Sequence, residues 1–143
     1  MNDPIQYKLL GKENASLLNN VAEGVLDYTV QEKFIDDFLR GNQNVFFIAV
    51  RAATVLGMVS GVIYNHPDKP RELWINEIGV TDEHRQQGIA RGLLEAITEY
   101  AKRRGCVGAW VLTEDDNIPA NALYRSMKAW SGPKEQVMYW VDI

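Results

Sequence analysis

The chain has 143 residues, a length that suits a single domain over residues 1–143. With 46% hydrophobic and 24% charged residues it reads as a folded, soluble protein, and its net charge of −4 argues against general nucleic-acid binding. No run of about 18 apolar residues predicts a membrane span, and the single cysteine, Cys106, favours a reduced, cytoplasmic setting.

The first half of the chain predicts a strand, two helices and three further strands. Apolar residues spaced three and four apart indicate the helices, whereas runs of β-branched and aromatic residues indicate the strands. The short connection at Ala53 and Thr54 predicts an antiparallel hairpin. In chain order these elements cover residues 5–10, 15–26, 30–40, 45–51, 55–64 and 72–80.

The second half alternates helices and strands. Apolar residues at every fourth position predict a long helix over 87–104, and Gly105 ends it. A strand over 107–113, a short helix over 119–127 and a last strand over 137–141 follow. The sequence therefore predicts an α/β fold with a mixed central sheet and about four flanking helices. The sheet is antiparallel in its N-terminal part, with a right-handed parallel step between strands four and five.

The segment EHRQQGIARGLL, residues 83–94, follows a predicted strand directly and opens the longest predicted helix. The first N–H groups of a helix lack internal acceptors and its dipole makes that end partly positive, so a phosphate binds well there. Gly88 would let a phosphate approach the backbone closely, and Arg85 and Arg91 would add positive charge. The alternative is the polar first turn of an ordinary surface helix.

Residues 85–90 (RQQGIA) resemble the Q/R-x-x-G-x-G/A pyrophosphate loop of the GCN5-related N-acetyltransferases, which lies between that family's fourth strand and third helix. The order of the elements is similar too, so the resemblance covers nearly the whole chain. It implies acetyl-CoA as cofactor, with the diphosphate on the backbone of this loop and the pantetheine arm against the preceding strand. The cofactor-binding residues that it implies here are Ile78, Gly79, Val80, Arg85, Gln86, Gln87, Gly88, Ile89, Ala90 and Arg91.

A second stretch, residues 117–124 (NIPANALY), resembles the N-x-x-A-x-x-L-Y segment of the same family. The resemblance implies that Asn117 contacts the cofactor and that Tyr124 lies near its sulfur. A tyrosine pKa of about 10 is slightly above the value of about 8.5 for a thiol, so Tyr124 suits the role of general acid. The alternative is an ordinary aromatic residue on an amphipathic helix. A backbone N–H near Gly79 and Val80 would polarise the thioester carbonyl.

Glu77 is the first candidate for the base that removes a proton from the acceptor amine. Alternation along its strand places it on one face with Ile75 and Gly79, where a carboxylate is unusual. It would act directly or through a water, and the resemblance supports this role. The alternative is an edge-strand charge that reaches solvent.

The acidic run Glu114, Asp115 and Asp116 follows the strand over 107–113. It is either a solvated loop or a binding site for an amine-rich substrate, and the sequence leaves both open. Residues 46–57, 83–90, 115–124, 137–138 and 142–143 contain pieces that resemble the aminoglycoside 3-N-acetyltransferases of type I. This implies a polycationic aminosugar acceptor, acetylated at its 3-amino group with antibiotic resistance as the result, whose ammonium groups would meet Glu77, Asp115, Asp116 and Asp142.

Two departures leave the acceptor open. Residues 128–133 (KAWSGP) replace the usual Gly-aromatic turn, and Asn117 and Ile118 are additional residues before the short helix. Another metabolite amine, a protein amine and a non-catalytic acetyl-CoA-binding module therefore stay as alternatives. Neither His66 nor His84 has a partner at metal-ligand spacing, so no metal is expected. Members of this family often dimerise, so a homodimer is expected, with residues 137–141 either at its interface or in the core.

Overall fold

The computed structural model describes residues 3–129, 131–132 and 137–143. These residues form two compact units, Met1–Leu112 and Thr113–Ile143. The single domain over residues 1–143 stays a prediction. In the part of the chain that is described, no helix is long and apolar enough to cross a lipid bilayer.

The first unit is built on a five-stranded sheet in the order β1-β2-β3-β4-β5. Its strands from β1 to β4 are antiparallel neighbours, and β5 is parallel to β4. This arrangement confirms the predicted fold class and the parallel step. The strands are β1 (Gln6–Leu9), β2 (Asn44–Arg51), β3 (Thr54–Tyr64), β4 (Glu72–Val80) and β5 (Ala109–Val111).

Three α-helices occur in the described residues, fewer than the predicted four. They are α1 (Glu32–Arg40) and α2 (Ile89–Arg103) in the first unit and α3 (Ile118–Ser126) in the second, with 3-10 turns at Ala15–Asn19 and Asp82–His84. The predicted helix over 15–26 is wrong beyond Asn19. Val55 explains the difference: its N–H donates to the Asn20 carbonyl and its carbonyl accepts from Ala22 N–H, both at 2.9 Å, which holds this segment extended.

The predicted strand over 137–141 is also wrong. Among the described residues nothing pairs with this segment, and its side chains are between 69% and 87% exposed. A strand requires a hydrogen-bonded partner, which an alternating sequence cannot supply by itself. Its placement in the core is therefore wrong too, whereas a role at a homodimer interface stays a prediction. Trp130 and Pro133, within the divergent segment over 128–133, lie outside the described residues.

The two faces of the sheet carry different partners. On one face, a Cβ at Gly57 would lie 3.1 Å from the Ile89 side chain and 3.2 Å from Leu93, so glycine lets α2 pack closely. On the opposite face, Met58 packs in a buried cluster with Val25 and with residues of the turn after β1. Beyond Ile75, β4 leaves this regular packing.

Candidate active site

Two irregularities in β4 interrupt the regular pairing of the sheet near the middle of this strand. The parallel pairing with β5 joins Leu73, Trp74 and Ile75 to β5 and ends there. Opposite β3, Glu77 pairs with Ser60 but Ile75 pairs with Gly61, so Asn76 is the extra residue of a β-bulge. The rest of β4 therefore continues without a β5 neighbour in the described structure.

The bulge decides which way Glu77 points. Gly61 lies on the α2 face, because a Cβ there would be 3.2 Å from Ile97, and Ile75 is opposite Gly61. Glu77 is opposite Ser60, on the other face. The prediction that Glu77 shares a face with Ile75 is therefore wrong, because the extra residue reverses the alternation. Glu77 does share its face with Gly79, which lies opposite Met58.

Glu77 lies in an environment that favours its neutral form. Its side chain is partly buried, and desolvation, with a smaller contribution from the carboxylate of Asp27, raises the pKa of Glu77. A raised pKa makes a carboxylate a better proton acceptor near neutral pH. The sequence reading missed Asp27, because fifty residues separate it from Glu77 and only the fold brings the two charges together.

Among the described residues, nothing pairs with the outer edge of β4 beyond the bulge. Thr81 N–H donates to the Leu56 carbonyl at 3.0 Å, which shows which alternate residues of β4 form hydrogen bonds with β3. Antiparallel pairing then directs Gly79 towards β3 and directs the N–H and C=O groups of Ile78 and Val80 to the β5 side. These groups can pair with an extended ligand.

The loop that joins β4 to α2 exposes a row of N–H groups. Gly88 is the N-cap of α2, since its carbonyl accepts from Gly92 N–H at 3.0 Å, and Gln86 and Gly88 have φ values of 60° and 81°. Across the described residues, the N–H groups from Gln86 to Ala90 donate to no backbone carbonyl. A Cβ at Gly88 would meet nothing within 4 Å, so the space above it is open. This cradle fits a diphosphate.

Two arginines near the start of α2, one in the preceding loop and one in the first turn of the helix, are already in ion pairs. Arg85 Nη2 lies 3.0 Å from Asp82 Oδ1, and Arg91 Nε lies 3.0 Å from Glu95 Oε1. All four side chains are largely exposed. Exposed pairs of this kind contribute at most about 1 kcal/mol, so an incoming diphosphate can compete for both guanidinium groups.

The second unit holds the other predicted site residues. Asn117 Oδ1 accepts from Ala120 N–H at 3.2 Å, which caps α3. Asn121 Nδ2 donates to the Glu114 carbonyl at 3.0 Å and to the Asn117 carbonyl at 2.8 Å, so it holds the acidic run against α3. The sequence reading did not single out Asn121. Its role depends on the way the loop folds back, which brings the Glu114 carbonyl within reach of its side chain. The carboxylates of Glu114, Asp115 and Asp116 are exposed.

Tyr124 and Asp142 differ in burial. Tyr124 is partly buried, and this burial raises the pKa of its hydroxyl, which therefore stays protonated at neutral pH. Asp142 is exposed and accepts a hydrogen bond from Trp140 Nε1 at 2.9 Å. No three His, Cys, Asp or Glu side chains in the described part of the chain are grouped to hold a metal ion.

The chain is thus an α/β protein with a mixed sheet, a bulged fourth strand and a helix start whose N–H groups are open. The model of the acetyltransferase (GNAT) family matches residues 13–128, and the chain belongs to this family.

Three known proteins illustrate the similarity. N-acetyltransferase 8 of Homo sapiens is 30% identical over 91 residues, which are 63% of this chain and 40% of that protein. An aminoglycoside acetyltransferase from an uncultured soil metagenomic sample, solved with trehalose, gives a TM-score of 0.80 at 14% identity, covering 97% of each chain. AAC(6')-Iy, solved with a bisubstrate analog of CoA and acetylneamine, gives 0.78 at 16% identity, covering 99% of each chain. At these identities the two structures support the fold alone.

Proposed function

We propose that this protein transfers the acetyl group of acetyl-CoA to a primary amine of a small polycationic acceptor of the aminoglycoside class. One observation carries the proposal: the free edge of β4 leads straight into the row of open N–H groups at the start of α2, beside the carboxylate of Glu77. An extended cofactor arm and a diphosphate need these two features in this order. The conclusion for the whole protein is a proposal because the chain spans 40% of N-acetyltransferase 8.

The first unit offers groups that would suit each part of acetyl-CoA. The N–H groups from Gln86 to Ala90, with Arg85 and Arg91, would hold the diphosphate, and Ile78 and Val80 would pair with the pantetheine arm. Bound acetyl-CoA supplies the activated acetyl group. Gly79 N–H is engaged with β3, so the N–H that polarises the thioester carbonyl belongs to Ile78 or Val80.

Two side chains would move the protons. Glu77 would accept a proton from the acceptor's ammonium group, directly or through one water, because an ammonium has no lone pair for attack on the carbonyl. Its raised pKa suits this role. Tyr124 would donate its hydroxyl proton to the departing sulfur, and the second proton lost by the acceptor nitrogen as the amide forms would restore the hydroxyl. Its raised pKa keeps that proton in place at neutral pH.

Charge supports a cationic acceptor. Glu77, Asp115, Asp116 and Asp142 offer carboxylates, and the net charge of the chain is −4. Two similar structures belong to aminoglycoside acetyltransferases, which is in line with this substrate class. The 3-amino group is the position that the type I resemblance implies, and analysis of the acetylated product tests it.

Steady-state acetyl transfer tests the proposed function. Sisomicin, kanamycin, spermidine and a set of amino acids are offered with acetyl-CoA, and release of free CoA is followed. We expect saturable turnover of at least one aminoglycoside, with the product acetylated at the 3-amino group in its NMR spectrum. Turnover of only the other amines would refute the aminoglycoside class, and no shift of the melting temperature with acetyl-CoA would refute the cofactor.

Gly88→Ala should weaken acetyl-CoA binding about tenfold or more, the size of a lost hydrogen bond to a charged group. The added methyl would project into the open space above the loop, and φ at this position is +81°. Alanine in this region costs about 1–2 kcal/mol of stability. Isothermal calorimetry gives the dissociation constant for acetyl-CoA.

Gly105→Ala is the matched control for this substitution. Gly105 has φ +86° and open space around its Cβ position, but it lies at the other end of α2. Both variants should lose similar stability in thermal melts, and only Gly88→Ala should lose affinity for acetyl-CoA. Equal affinity in the two variants would rule out the loop as the diphosphate site.

A further inference from the structure

A group of aromatic side chains lies on the face of the sheet opposite α2. At this end of β4, Leu73 is buried on the α2 face, since its side chain would be 2.9 Å from a Cβ at Gly61. The neighbouring positions Glu72 and Trp74 therefore point the other way, as does Tyr64 opposite Glu72. Trp110 is in register with Trp74 on β5. We call Tyr64, Trp74 and Trp110 the aromatic platform.

The aromatic platform is fixed in place. The rings of Trp74 and Trp110 stack with centroids 5.6 Å apart and planes inclined by 17°. Trp110 Nε1 donates to the Tyr64 hydroxyl at 3.0 Å, and that hydroxyl donates to Glu72. The hydrogen-bonded chain and the stack together hold the Trp110 ring in one orientation. Binding to such a preorganised ring loses little conformational entropy.

This fixed ring is open to solvent. Trp110 is 41% exposed and Leu112, two residues further on, is 55% exposed. An indole ring that is held in one orientation and is also exposed offers a flat surface to a ligand. Stacking requires only that one face of the ring is free. The neighbouring bulge at Asn76 leaves this surface next to the free part of β4.

Within the three strands that form the platform, the charged side chains are all of one sign. Strands β3, β4 and β5 contain no lysine or arginine, and their two carboxylates, Glu72 and Glu77, are on the same face as the platform. Along β4, Glu72 precedes Trp74 by two residues and Glu77 follows it by three, which places Glu77 about 10 Å from Trp74 along the strand. Indole faces also attract cations, so the aromatic and acidic groups select the same kind of ligand.

We propose that the aromatic platform is a subsite for a second, cationic ring of the acceptor, whose reacting amine lies at Glu77. This inference rests on the proposed function, because it takes Glu77 as the position of the reacting amine. The ring would stack on the free face of Trp110 with an ammonium group towards Glu72. An apolar partner or a second copy of the chain is disfavoured, since it would bury two carboxylates beside the rings.

Calorimetric titration of the full chain with sisomicin, a ring-bearing polyamine, and with spermidine, a linear one, tests this subsite. Trp110→Ala should weaken sisomicin binding about tenfold and change spermidine binding less than about twofold, because only a ring gains from the stack. Trp110→Phe, which keeps an aromatic face, should retain most of the affinity for sisomicin. Phe34→Ala, another exposed aromatic, on α1, is the control and should change neither affinity.

Glu72→Gln provides a second variant that keeps the size of the side chain, and it decides the matter if Trp110→Ala does not fold. It should weaken sisomicin binding about threefold. Unchanged sisomicin affinity, equal weakening of sisomicin and spermidine, a change in oligomeric state alone, or no sisomicin binding by the unaltered chain would each overturn the subsite. Sisomicin binding that weakens as expected in Trp110→Ala, without acetyl transfer to any of the aminoglycosides offered, would instead refute the proposed function and leave Trp110 as a ring-binding site only.

Discussion

Tyr124→Phe should lower kcat by about 100-fold or more, the lower end of what a positioned general acid contributes. The substitution removes only the hydroxyl, so the ring still fills its partly buried place and the KM for acetyl-CoA should change little. Loss of the proton donor makes the sulfur leave as a thiolate, which is a poorer leaving group. Release of CoA measured at saturating acceptor gives kcat directly.

The pH dependence separates this role from a structural one. A general acid works while it is protonated, and burial raises the pKa of Tyr124 above its ordinary value of 10.0. Activity should therefore fall only as pH rises through that raised value, and Tyr124→Phe should lack this alkaline fall. Tyr139→Phe, at an 84% exposed position, should behave as the unaltered chain. An unchanged kcat for Tyr124→Phe would remove Tyr124 from the mechanism.

The elements that repeat a simple pattern could be predicted from the sequence. The apolar stripe of α2 and the long apolar strand β3 each bury a continuous surface, so their periodicity survives in the fold. The conformation of the loop before α2 could also be predicted, because a helix start depends on local backbone geometry. Gly88, for example, has a φ of +81°, a left-handed conformation that glycine adopts more readily than other residues.

What the sequence could not supply depends on contacts between distant residues. A single bulged residue, Asn76, reverses the alternation of side chains between the two faces of β4, and no local sequence pattern predicts this bulge. The segment after Asn19 has helical spacing, but two hydrogen bonds with Val55 hold it extended. The aromatic platform is invisible as well, because Trp74 and Trp110 meet only once the parallel step is made.

Glu77→Gln should reduce kcat by about 100-fold or more, because an amide cannot accept the proton of the acceptor's ammonium group. In the unaltered chain, kcat should fall as pH decreases through the pKa of Glu77, since the protonated carboxyl is no longer a base. Desolvation and the charge of Asp27 raise that pKa above its ordinary value of 4.5, so the fall should begin at a correspondingly higher pH. Glu77→Gln should lose this acidic fall along with the activity.

Asp27→Asn tests the assignment without touching the base itself. It removes the second cause of the raised pKa of Glu77, so the acidic fall of kcat should move to lower pH while activity at neutral pH is largely kept. The acceptor's own titration cannot produce such a shift, because the acceptor is the same in both proteins. Glu32→Gln, at an exposed position on α1, is the matched control and should leave the profile unchanged. If the fall stays in place in Asp27→Asn and persists in Glu77→Gln, another group is the base and the carboxylate of Glu77 serves only to attract the cationic acceptor.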